Sequence, residues 1–252
     1  MAPGAGARGK SRLDELLVAR GLAENRTRAQ ALVMAGLVFS GERRLDKPGH
    51  KIPDDTVLDV RGREHPWVSR GGVKLAHALE FFRIDPSGFV CLDVGASTGG
   101  FTDVLLQKGA RKVYAVDVGH GQLDWKLRED ARVVVMERTN ARDLDAAKIP
   151  EPVRLIVTDV SFIGLEVALP AALALAAPGC RLVALIKPQF EVGKGEVGKG
   201  GIVRDPALHE QVCQRIEAWL GGLPGWRVLG LTESPISGAD GNKEFLIAAE
   251  KG

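Results

Sequence analysis

The chain has 252 residues, of which 45% are hydrophobic and 26% charged, a composition typical of a soluble globular protein with a sizeable core. That length suits one large domain or a large and a small one, and a net charge of +2 is too small to indicate a nucleic-acid partner by itself. The longest uncharged apolar stretch, from Val167 to Cys180, is shorter than the roughly 18–20 residues that span a bilayer. The first ten residues lack the apolar core of a signal peptide, so we expect a cytoplasmic protein without membrane insertion.

The three cysteines, Cys91, Cys180 and Cys213, are odd in number and far apart. This pattern matches neither a disulfide framework nor a cysteine-based zinc site. We therefore expect buried free thiols and no metal site.

The N-terminal part of the chain predicts a small α+β domain. Residues 1–10 are rich in Gly and Ala and are expected to form a flexible tail. A first helix is predicted from Ser11, as its N-cap, to Gly21, and a second from about Asn25 to Gly36. Strands are expected at 37–40 and 56–60. We assign residues 11–60 to this domain.

Basic side chains of this small domain indicate an anionic partner. Arg26 and Arg28 lie in the first turn of the second helix, where cations oppose the helix macrodipole. The order of Arg12-Leu-Asp, Gly21, Arg26-Thr-Arg and Gly36-Leu-Val resembles the S4-type RNA-binding domain. The resemblance implies that phosphates of structured RNA are contacted by Arg12, Arg26, Arg28, Arg43 and Arg44. A helical cap with a solvated basic face is the alternative.

A charged stretch with Gly62 and Pro66 follows, and we take residues 61–68 as an interdomain linker. In residues 69–252, strands and helices alternate. Helices are predicted at 73–82, 100–108, 165–176 and 206–220. Strands are predicted at 89–94, 112–117, 132–136, 155–159, 181–186, 226–232 and 244–249. Since these strands are dense in Val, Leu and Ile, they indicate a doubly wound, Rossmann-like α/β domain with its ligands at the carboxyl ends of the strands.

A glycine-rich loop follows the first strand of the large domain, in Asp93-Val-Gly-Ala-Ser-Thr-Gly-Gly100. A dinucleotide fingerprint requires glycine at the position of Ser97, which disfavours an NAD enzyme. Asp93 suits a cofactor with a cationic amino-acid end, and Asp117 at the next strand end suits ribose hydroxyls. We predict S-adenosylmethionine as the cofactor. The predicted cofactor-binding residues are Asp93, Gly95, Ser97, Thr98, Gly99, Gly100, Phe101, Asp117 and Asp159.

Two lysines and two acids are expected at one edge of the sheet. Asp159 and Lys187 end two strands, Glu244 opens the last strand, and Lys74 lies on the helix before the first strand. Each of them alone reads as a solvated charge. Together they predict a site that takes a proton from a hydroxyl group and holds the charge that develops. Beside an adenosine-binding loop, such a site suggests methyl transfer to an RNA ribose.

The large domain resembles the FtsJ-type ribose methyltransferases, which carry a Lys-Asp-Lys-Glu tetrad. From about residue 11 to its end, the chain resembles the TlyA family of bacterial rRNA 2′-O-methyltransferases, also called hemolysins. The segments that carry the resemblance are 66–72, 74–75, 93–102, 158–162, 186–191 and 241–245. It implies cytidine ribose methylation, with ribosomal RNA or ribosomal subunits as the partner. The residues alone leave the base open, and the oligomeric state open between a monomer and a weak dimer.

The role of Lys187 has two interpretations. It is our candidate for the base that takes the ribose proton, with Lys74, Asp159 and Glu244 as the rest of a coupled set. Alternatively, Lys187 stays charged and stabilises the developing alkoxide, while a carboxylate or water takes the proton.

The loop at 192–202 directly after Lys187 contains five glycines together with Lys194 and Lys199. It is either a flexible connection or a lid that clamps RNA. Its position favours the lid.

Two further functions compete with RNA methylation. A membrane-lysing toxin, as the name hemolysin suggests, would need a spanning segment or a basic amphipathic helix, and the sequence predicts neither. A non-catalytic RNA-binding factor for ribosome assembly would not need the tetrad, yet all four tetrad residues are present.

Overall fold

The computed structural model describes residues 9–23, 25–60, 65–193, 195–238 and 241–252. The chain divides into two compact units, Met1–Pro66 and Trp67–Gly252. The predicted linker at 61–68 crosses this division, and its residues 61–64 lie outside the described part of the chain.

Short elements make up the smaller unit. They are β1 (Lys10–Arg12), α1 (Leu13–Ala19), α2 (Arg26–Met34), β2 (Val38–Ser40), β3 (Arg43–Arg44), β4 (Lys51–Pro53) and β5 (Asp59–Val60). β1 pairs with β4, and β3, β2 and β5 form a separate three-stranded sheet. The two helices pack through apolar residues that include Leu13, Leu17, Ala29 and Val33, all fully buried.

The predicted start of the first helix is wrong. Ser11 is the middle residue of β1, where it pairs with Ile52, and the N-cap of α1 is Arg12 without a side-chain cap. Lys10, which we assigned to the tail, also belongs to this strand. A capping signal was outweighed here by a ladder to a strand some 40 residues away, which local sequence does not reveal.

The larger unit alternates strands and helices. Its elements are α3 (Gly71–Phe81), β6 (Val90–Val94), α4 (Gly100–Gln107), β7 (Lys112–Val116), α5 (Trp125–Arg128), β8 (Val133–Met136), a 3₁₀ turn (Ala141–Asp143), β9 (Val153–Thr158), α6 (Leu165–Ala168), α7 (Pro170–Ala174), β10 (Ala176–Ile186), α8 (Pro188–Glu191), α9 (Pro206–Gly221), β11 (Trp226–Glu233) and β12 (Phe245–Lys251).

Seven strands form one sheet in the order β11-β12-β10-β9-β6-β7-β8. β6 to β10 pair in parallel, whereas β12 runs antiparallel to both of its neighbours. The predicted α/β fold is confirmed. Because β12 runs against β10, it begins at the edge where β9 and β10 end, and this places the residue before β12 beside the residues that follow them.

Apolar cores cover both faces of the sheet, as the density of aliphatic residues in the strands predicted. Ala184 of β10 lies in one core together with Ile216 of α9. Its neighbour Leu185 lies in the other, with Leu75 of α3 and Val104 of α4. The alternation of side chains along each strand thus anchors α3 and α4 on one face and α9 on the opposite face.

The single helix predicted at 165–176 is wrong. The structure has two short helices, α6 and α7, that meet at Leu169, and Ala176 already begins β10. Pro170 occupies the first position of α7. It has no N–H to donate and disfavours helical geometry in the residue before it, so it breaks the helix.

Candidate active site

Strand order brings the tetrad residues to one edge of the sheet. β10 and β12 remain paired up to the last residue of β10 and the first of β12, which makes Lys187 and Glu244 neighbours just beyond the ladder. β9 lies on the other side of β10, and Asp159 follows its last residue. Since adjacent strands lie about 4.8 Å apart, three side chains distant in sequence meet at this edge.

The four tetrad residues form two ion pairs. Lys74 Nζ lies 2.5 Å from Glu244 Oε2, with side chains 9% and 3% exposed. Lys187 Nζ lies 2.5 Å from Asp159 Oδ1, with side chains 10% and 22% exposed. Buried ion pairs lose much of their attraction to desolvation and are weak evidence for stability. Two of them at the ligand-binding edge of the sheet are better explained by chemistry at that edge.

Lys187 has a further partner that the sequence did not indicate. Its Nζ donates a hydrogen bond of 2.8 Å to Ser161 Oγ, so a carboxylate and a hydroxyl both accept from this amine. The side chain of Lys187 is thereby held at the end of β10. The sequence signals for Ser161 were its place two residues after Asp159 and its place within the family-like segment 158–162.

Close packing of glycines fixes the start of α3 and hence the position of Lys74. A Cβ on Gly72 would lie 2.4 Å from the Trp67 side chain, and a Cβ on Gly100 would lie 2.2 Å from Ser69 Oγ. Contacts this close exclude larger residues. The segment 67–72 therefore packs directly against the start of α4, which carries the glycine-rich loop.

The glycine-rich loop has the backbone that only glycine adopts without strain. Gly95 has a φ of 83° and Gly99 a φ of 96°, both in the left-handed region. A Cβ on Gly99 would also lie 2.2 Å from Leu127 Cδ1. Ser97 adopts a φ of 48° despite its side chain, and its backbone N–H donates to Asp117 Oδ2 over 2.8 Å.

Asp93 is a fully buried carboxyl group with one oxygen to spare. Its Oδ2 accepts a hydrogen bond of 2.7 Å from Thr102 Oγ1, whereas its Oδ1 has no hydrogen-bond partner among the described residues. Burial raises the pKa of Asp93 to about 7, and the Thr102 hydrogen bond offsets only part of that shift. A buried oxygen without a donor fits a cationic ligand group, such as an ammonium.

Asp117 lies after β7, the strand next to the one that holds Asp93. Its two oxygens accept from the N–H groups of Ser97 and Gly119, over 2.8 and 2.6 Å. A carboxylate has about four lone-pair sites, so Asp117 can accept further hydrogen bonds from a ribose. The two acids and the loop between them could hold a cofactor that has an ammonium at one end and a ribose at the other.

Of the remaining predicted cofactor residues, Thr98 is exposed, whereas Gly100 and Phe101 are buried. The carbonyl of Thr98 accepts from Asp124 N over 3.1 Å. Phe101 is only 2% exposed and its ring packs in the core. Gly100 begins α4 and is buried. Any contact of Phe101 with a ligand is therefore through its main chain.

An exposed aromatic residue stands beside the tetrad, and sequence reasoning missed it. Phe162 is 89% exposed and has a φ of 65°, which is rare for a bulky residue. Its ring lies 4.8 Å from that of Phe190, centroid to centroid, and Lys187 Nζ lies 5.9 Å from the Phe190 centroid. A strained, exposed ring of this kind marks a candidate contact for a planar ligand.

Asn242 connects the second loop, at 192–202, to the segment that carries Glu244. Sequence reasoning missed this residue too. It is 1% exposed. Its Oδ1 accepts from Val203 N over 3.0 Å, and its Nδ2 donates to Gly201 O over 2.9 Å. Within the loop, Lys199 is exposed, whereas Lys194 lies outside the described residues.

The predicted RNA-binding arginines of the smaller unit reach its surface. Arg12 and Arg26 have side chains 35% and 53% exposed, and both pair with Asp14. Arg28 follows in the first turn of α2, where its N–H is capped by the Asn25 side chain. Arg43 and Arg44 form β3 and are exposed.

Three further observations bear on the competing functions. In the part of the chain that the structure describes, no helix is both long and apolar enough to cross a membrane. Within the same residues, no group of three or more His, Cys, Asp or Glu side chains could hold a metal ion. All three cysteines are free and buried, as predicted.

Two family models match the chain. The FtsJ-like methyltransferase model matches residues 67–251, and the S4 domain model matches residues 11–58.

Individual relatives match over most of their length. The 16S/23S rRNA (cytidine-2′-O)-methyltransferase TlyA of Mycobacterium tuberculosis is 48% identical over 239 residues, which cover 94% of this chain and 89% of that protein. Hemolysin A of Brachyspira hyodysenteriae is 43% identical over 93% of this chain and 98% of that protein. A solved structure described as a hemolysin from Streptococcus thermophilus superposes with a TM-score of 0.75 at 46% identity, over 97% of this chain and 90% of that one.

Proposed function

The chain belongs to the family of FtsJ-like methyltransferases, and from this premise we propose that it transfers a methyl group from S-adenosylmethionine to a ribose 2′-hydroxyl of ribosomal RNA. The observation that carries the proposal is the meeting of the Lys74–Glu244 and Lys187–Asp159 pairs at the sheet edge that also bears the glycine-rich loop. Cytidine is the proposed target, because the Mycobacterium tuberculosis relative is named for that nucleotide. Ribosomal RNA as the substrate assigns the activity to the cytoplasm.

S-adenosylmethionine supplies a methyl group on a positively charged sulfur, which makes that methyl open to attack by an oxygen. The unpartnered Oδ1 of Asp93 would hold the cofactor's ammonium, and Asp117 would hold its ribose hydroxyls. Gly95 and Gly99 give the loop its left-handed turns and its close packing, since a Cβ there would meet Val160 and Leu127. These residues fit the cofactor because they combine a buried acceptor for a cation with an open backbone.

Lys187 handles the proton. The ribose hydroxyl is a weak acid, so its proton must leave as the oxygen attacks. Lys187 first loses its own proton to solvent; its neutral amine then accepts the ribose proton, and Asp159 Oδ1 at 2.5 Å and Ser161 Oγ at 2.8 Å hold the ammonium that forms. The bond from oxygen to the methyl carbon forms while the bond from that carbon to sulfur breaks. The proton then returns to solvent past Asp159, which is partly exposed.

Lys74 provides fixed positive charge. Its ammonium is buried and paired with Glu244, so it does not need to reorganise during the reaction. A preorganised donor next to an oxygen that gains negative charge stabilises the transition state more than it would in water. Glu244 keeps Lys74 in place and balances its charge before substrate binds.

Phe162 would stack on the base of the target nucleotide. Phe162→Ala is expected to weaken use of RNA by about 1–3 kcal/mol in kcat/KM, the usual contribution of one base on one aromatic ring, whereas Phe162→Tyr should retain most of it. Steady-state methylation of ribosomal subunits measures both. Phe81→Ala is the matched control, because Phe81 is another exposed ring of the large unit, at 55%. Equal losses in the two alanine variants would contradict a stacking role.

Incubation with methyl-labelled S-adenosylmethionine tests the proposed function. The substrates are 16S and 23S rRNA, each free and within its ribosomal subunit. Nuclease digestion and mass spectrometry should find the label as 2′-O-methylcytidine. Label on a base, or absence of label from every RNA, would overturn the proposal. Dye release from liposomes, with the same protein sample, tests the competing membrane-lysing function.

A further inference from the structure

Asp14 is a fully buried carboxylate in the smaller unit, and it accepts hydrogen bonds from four other residues. Its side chain is 0% exposed. Oδ1 accepts from Arg12 Nε over 2.9 Å and from Glu15 N over 3.1 Å. Oδ2 accepts from a terminal nitrogen of Arg12 over 2.9 Å, from Arg26 Nε over 3.0 Å and from Gln30 Nε2 over 2.8 Å. Two arginines at the surface are thus joined through one buried acid.

The geometry leaves part of each guanidinium free for another ligand. Arg12 binds Asp14 through Nε and one terminal nitrogen, and Arg26 binds it through Nε alone. A guanidinium carries five N–H donors, so both retain donors on the side turned away from Asp14. The two arginine nitrogens that bind Oδ2 lie within 3.0 Å of that one atom, which brings the two cations close enough to contact a single anion.

Gly49 completes the cradle around Arg12. A Cβ at this position would lie 3.1 and 3.2 Å from the two terminal nitrogens of Arg12. The guanidinium therefore lies directly against the main chain, and even an alanine would push it away. Asp14, through its hydrogen bonds, and Gly49, through close packing, together fix the orientation of the Arg12 guanidinium.

Stability alone does not account for this arrangement. A buried carboxylate loses hydration, and ion pairs of this kind often contribute little to the free energy of unfolding. Arg26 also occupies the first position of α2, where a positive charge opposes the helix dipole. The placement of Arg26 becomes favourable when an anion binds beside its guanidinium.

We propose that Arg12 and Arg26 form one composite site for a phosphodiester of RNA, and that Asp14 is the positioning residue that assembles it. This inference rests on RNA being the substrate under the proposed function. Asp14 does not touch the phosphate. It holds two guanidinium planes in a fixed relation, which spares the entropy of ordering two long side chains when RNA binds.

Glu15 allows a discriminating test of the inference, because it is a second acid beside the same arginines. Its Oε1 lies 3.7 Å from Arg12 Nε and 3.8 Å from a terminal nitrogen of Arg26, and its side chain is 50% exposed. At these distances Glu15 makes no hydrogen bond to either arginine, so it repels a phosphate without fixing the two guanidiniums. If only charge mattered, neutralising either acid would strengthen RNA binding. Preorganisation by Asp14 instead predicts opposite effects for the two neighbours.

The experiment measures the affinity of the full-length protein for 23S rRNA by filter binding at several salt concentrations. Glu15→Gln should bind a few-fold more tightly. Asp14→Asn should bind about tenfold more weakly, as for a lost charged contact, and its slope of log affinity against log salt should be smaller by about 1, because one phosphate contact is lost. In an Arg12→Gln/Arg26→Gln background, Asp14→Asn should have no further effect, because nothing remains to be positioned.

Gly49→Ala keeps the inference testable if Asp14→Asn fails to fold. The Gly49→Ala variant keeps every side chain of the ion-pair cluster and shifts only the Arg12 guanidinium. It should therefore also weaken RNA binding, while cofactor affinity stays unchanged. Binding of Asp14→Asn and Gly49→Ala at wild-type strength would overturn the composite site. Methyl transfer is read separately, so that result would leave the proposed reaction standing.

Discussion

Lys187→Met is expected to lower the rate of methyl transfer by about 10²–10⁴-fold, the range typical of a lost general acid or base. Methionine keeps the length and apolar body of the side chain but cannot accept the ribose proton. Binding of cofactor and of RNA should persist, because Lys187 acts on the reacting hydroxyl and not on the remote parts of either ligand. Single-turnover methylation of ribosomal RNA measures the rate, and calorimetry measures cofactor affinity.

Lys243→Met is the matched control for this variant. Lys243 directly precedes Glu244 in sequence, but its ammonium pairs with Glu233 over 2.8 Å and is 49% exposed, so its loss should leave the rate near wild type. Asp159→Asn should be slow as well, and the double variant with Lys187→Met should be little slower than either single one, as for residues that act as a unit. A Lys187→Met enzyme that works at the wild-type rate would show that another group or solvent takes the proton.

Asp93→Asn is expected to weaken binding of S-adenosylmethionine by about 1.5–3 kcal/mol, the value of a hydrogen bond to a charged group. The wild-type protein should bind more tightly as the pH rises through about 7, because the buried carboxyl has a pKa of about 7 and must lose its proton to hold an ammonium. In Asp93→Asn that dependence should disappear. Calorimetry from pH 5.5 to 8.5 measures the cofactor affinity of both proteins. Any pH dependence that remains in the variant comes from titration of the cofactor's own amine.

Thr102→Val sharpens the same prediction. The hydroxyl of Thr102 donates to Asp93 Oδ2 and lowers the pKa of that carboxyl against the larger effect of burial. Without it, the pH at which cofactor binding strengthens should move upward. Identical pH profiles for wild type, Asp93→Asn and Thr102→Val would rule out Asp93 as the group that holds the cofactor's charged end.

Thermal unfolding gives an independent reading of Asp93. Its pKa in the folded state, about 7, lies above that of an unfolded aspartate, about 3.9. Between these values the folded protein binds more protons than the unfolded chain, so this group lowers stability as the pH rises from about 4 to about 7, by roughly 3–4 kcal/mol in all. Asp93→Asn removes that loss. We expect its melting temperature to exceed that of the wild-type protein above pH 7, which would mark Asp93 as a residue kept for binding at the expense of stability.

The short-range patterns of the sequence determined the class of fold and the chemistry. Runs of Val, Leu and Ile predicted strands buried on both faces, because a strand covered on both faces buries its successive side chains without alternation. The loop from Asp93 to Gly100 predicted a cofactor site, because positive φ angles and close backbone approach strongly favour glycine. Charged residues at several strand ends predicted a site at one edge. Each of these signals spans a few residues and depends on local geometry.

Only the tertiary structure decided which residues meet. Lys74 pairs with Glu244 across 170 positions of sequence, because α3 packs on the sheet through Leu75, because the segment before α3 packs on the start of α4 at Gly100, and because β12 runs antiparallel. Tertiary structure likewise brings three further residues to the candidate site: Asn242, Ser161 and Phe162. Asp14, read at first as part of a motif, proved to be a buried anchor for two arginines. Strand order, direction and helix packing follow from the burial of the whole apolar surface at once, and no single segment contains that information.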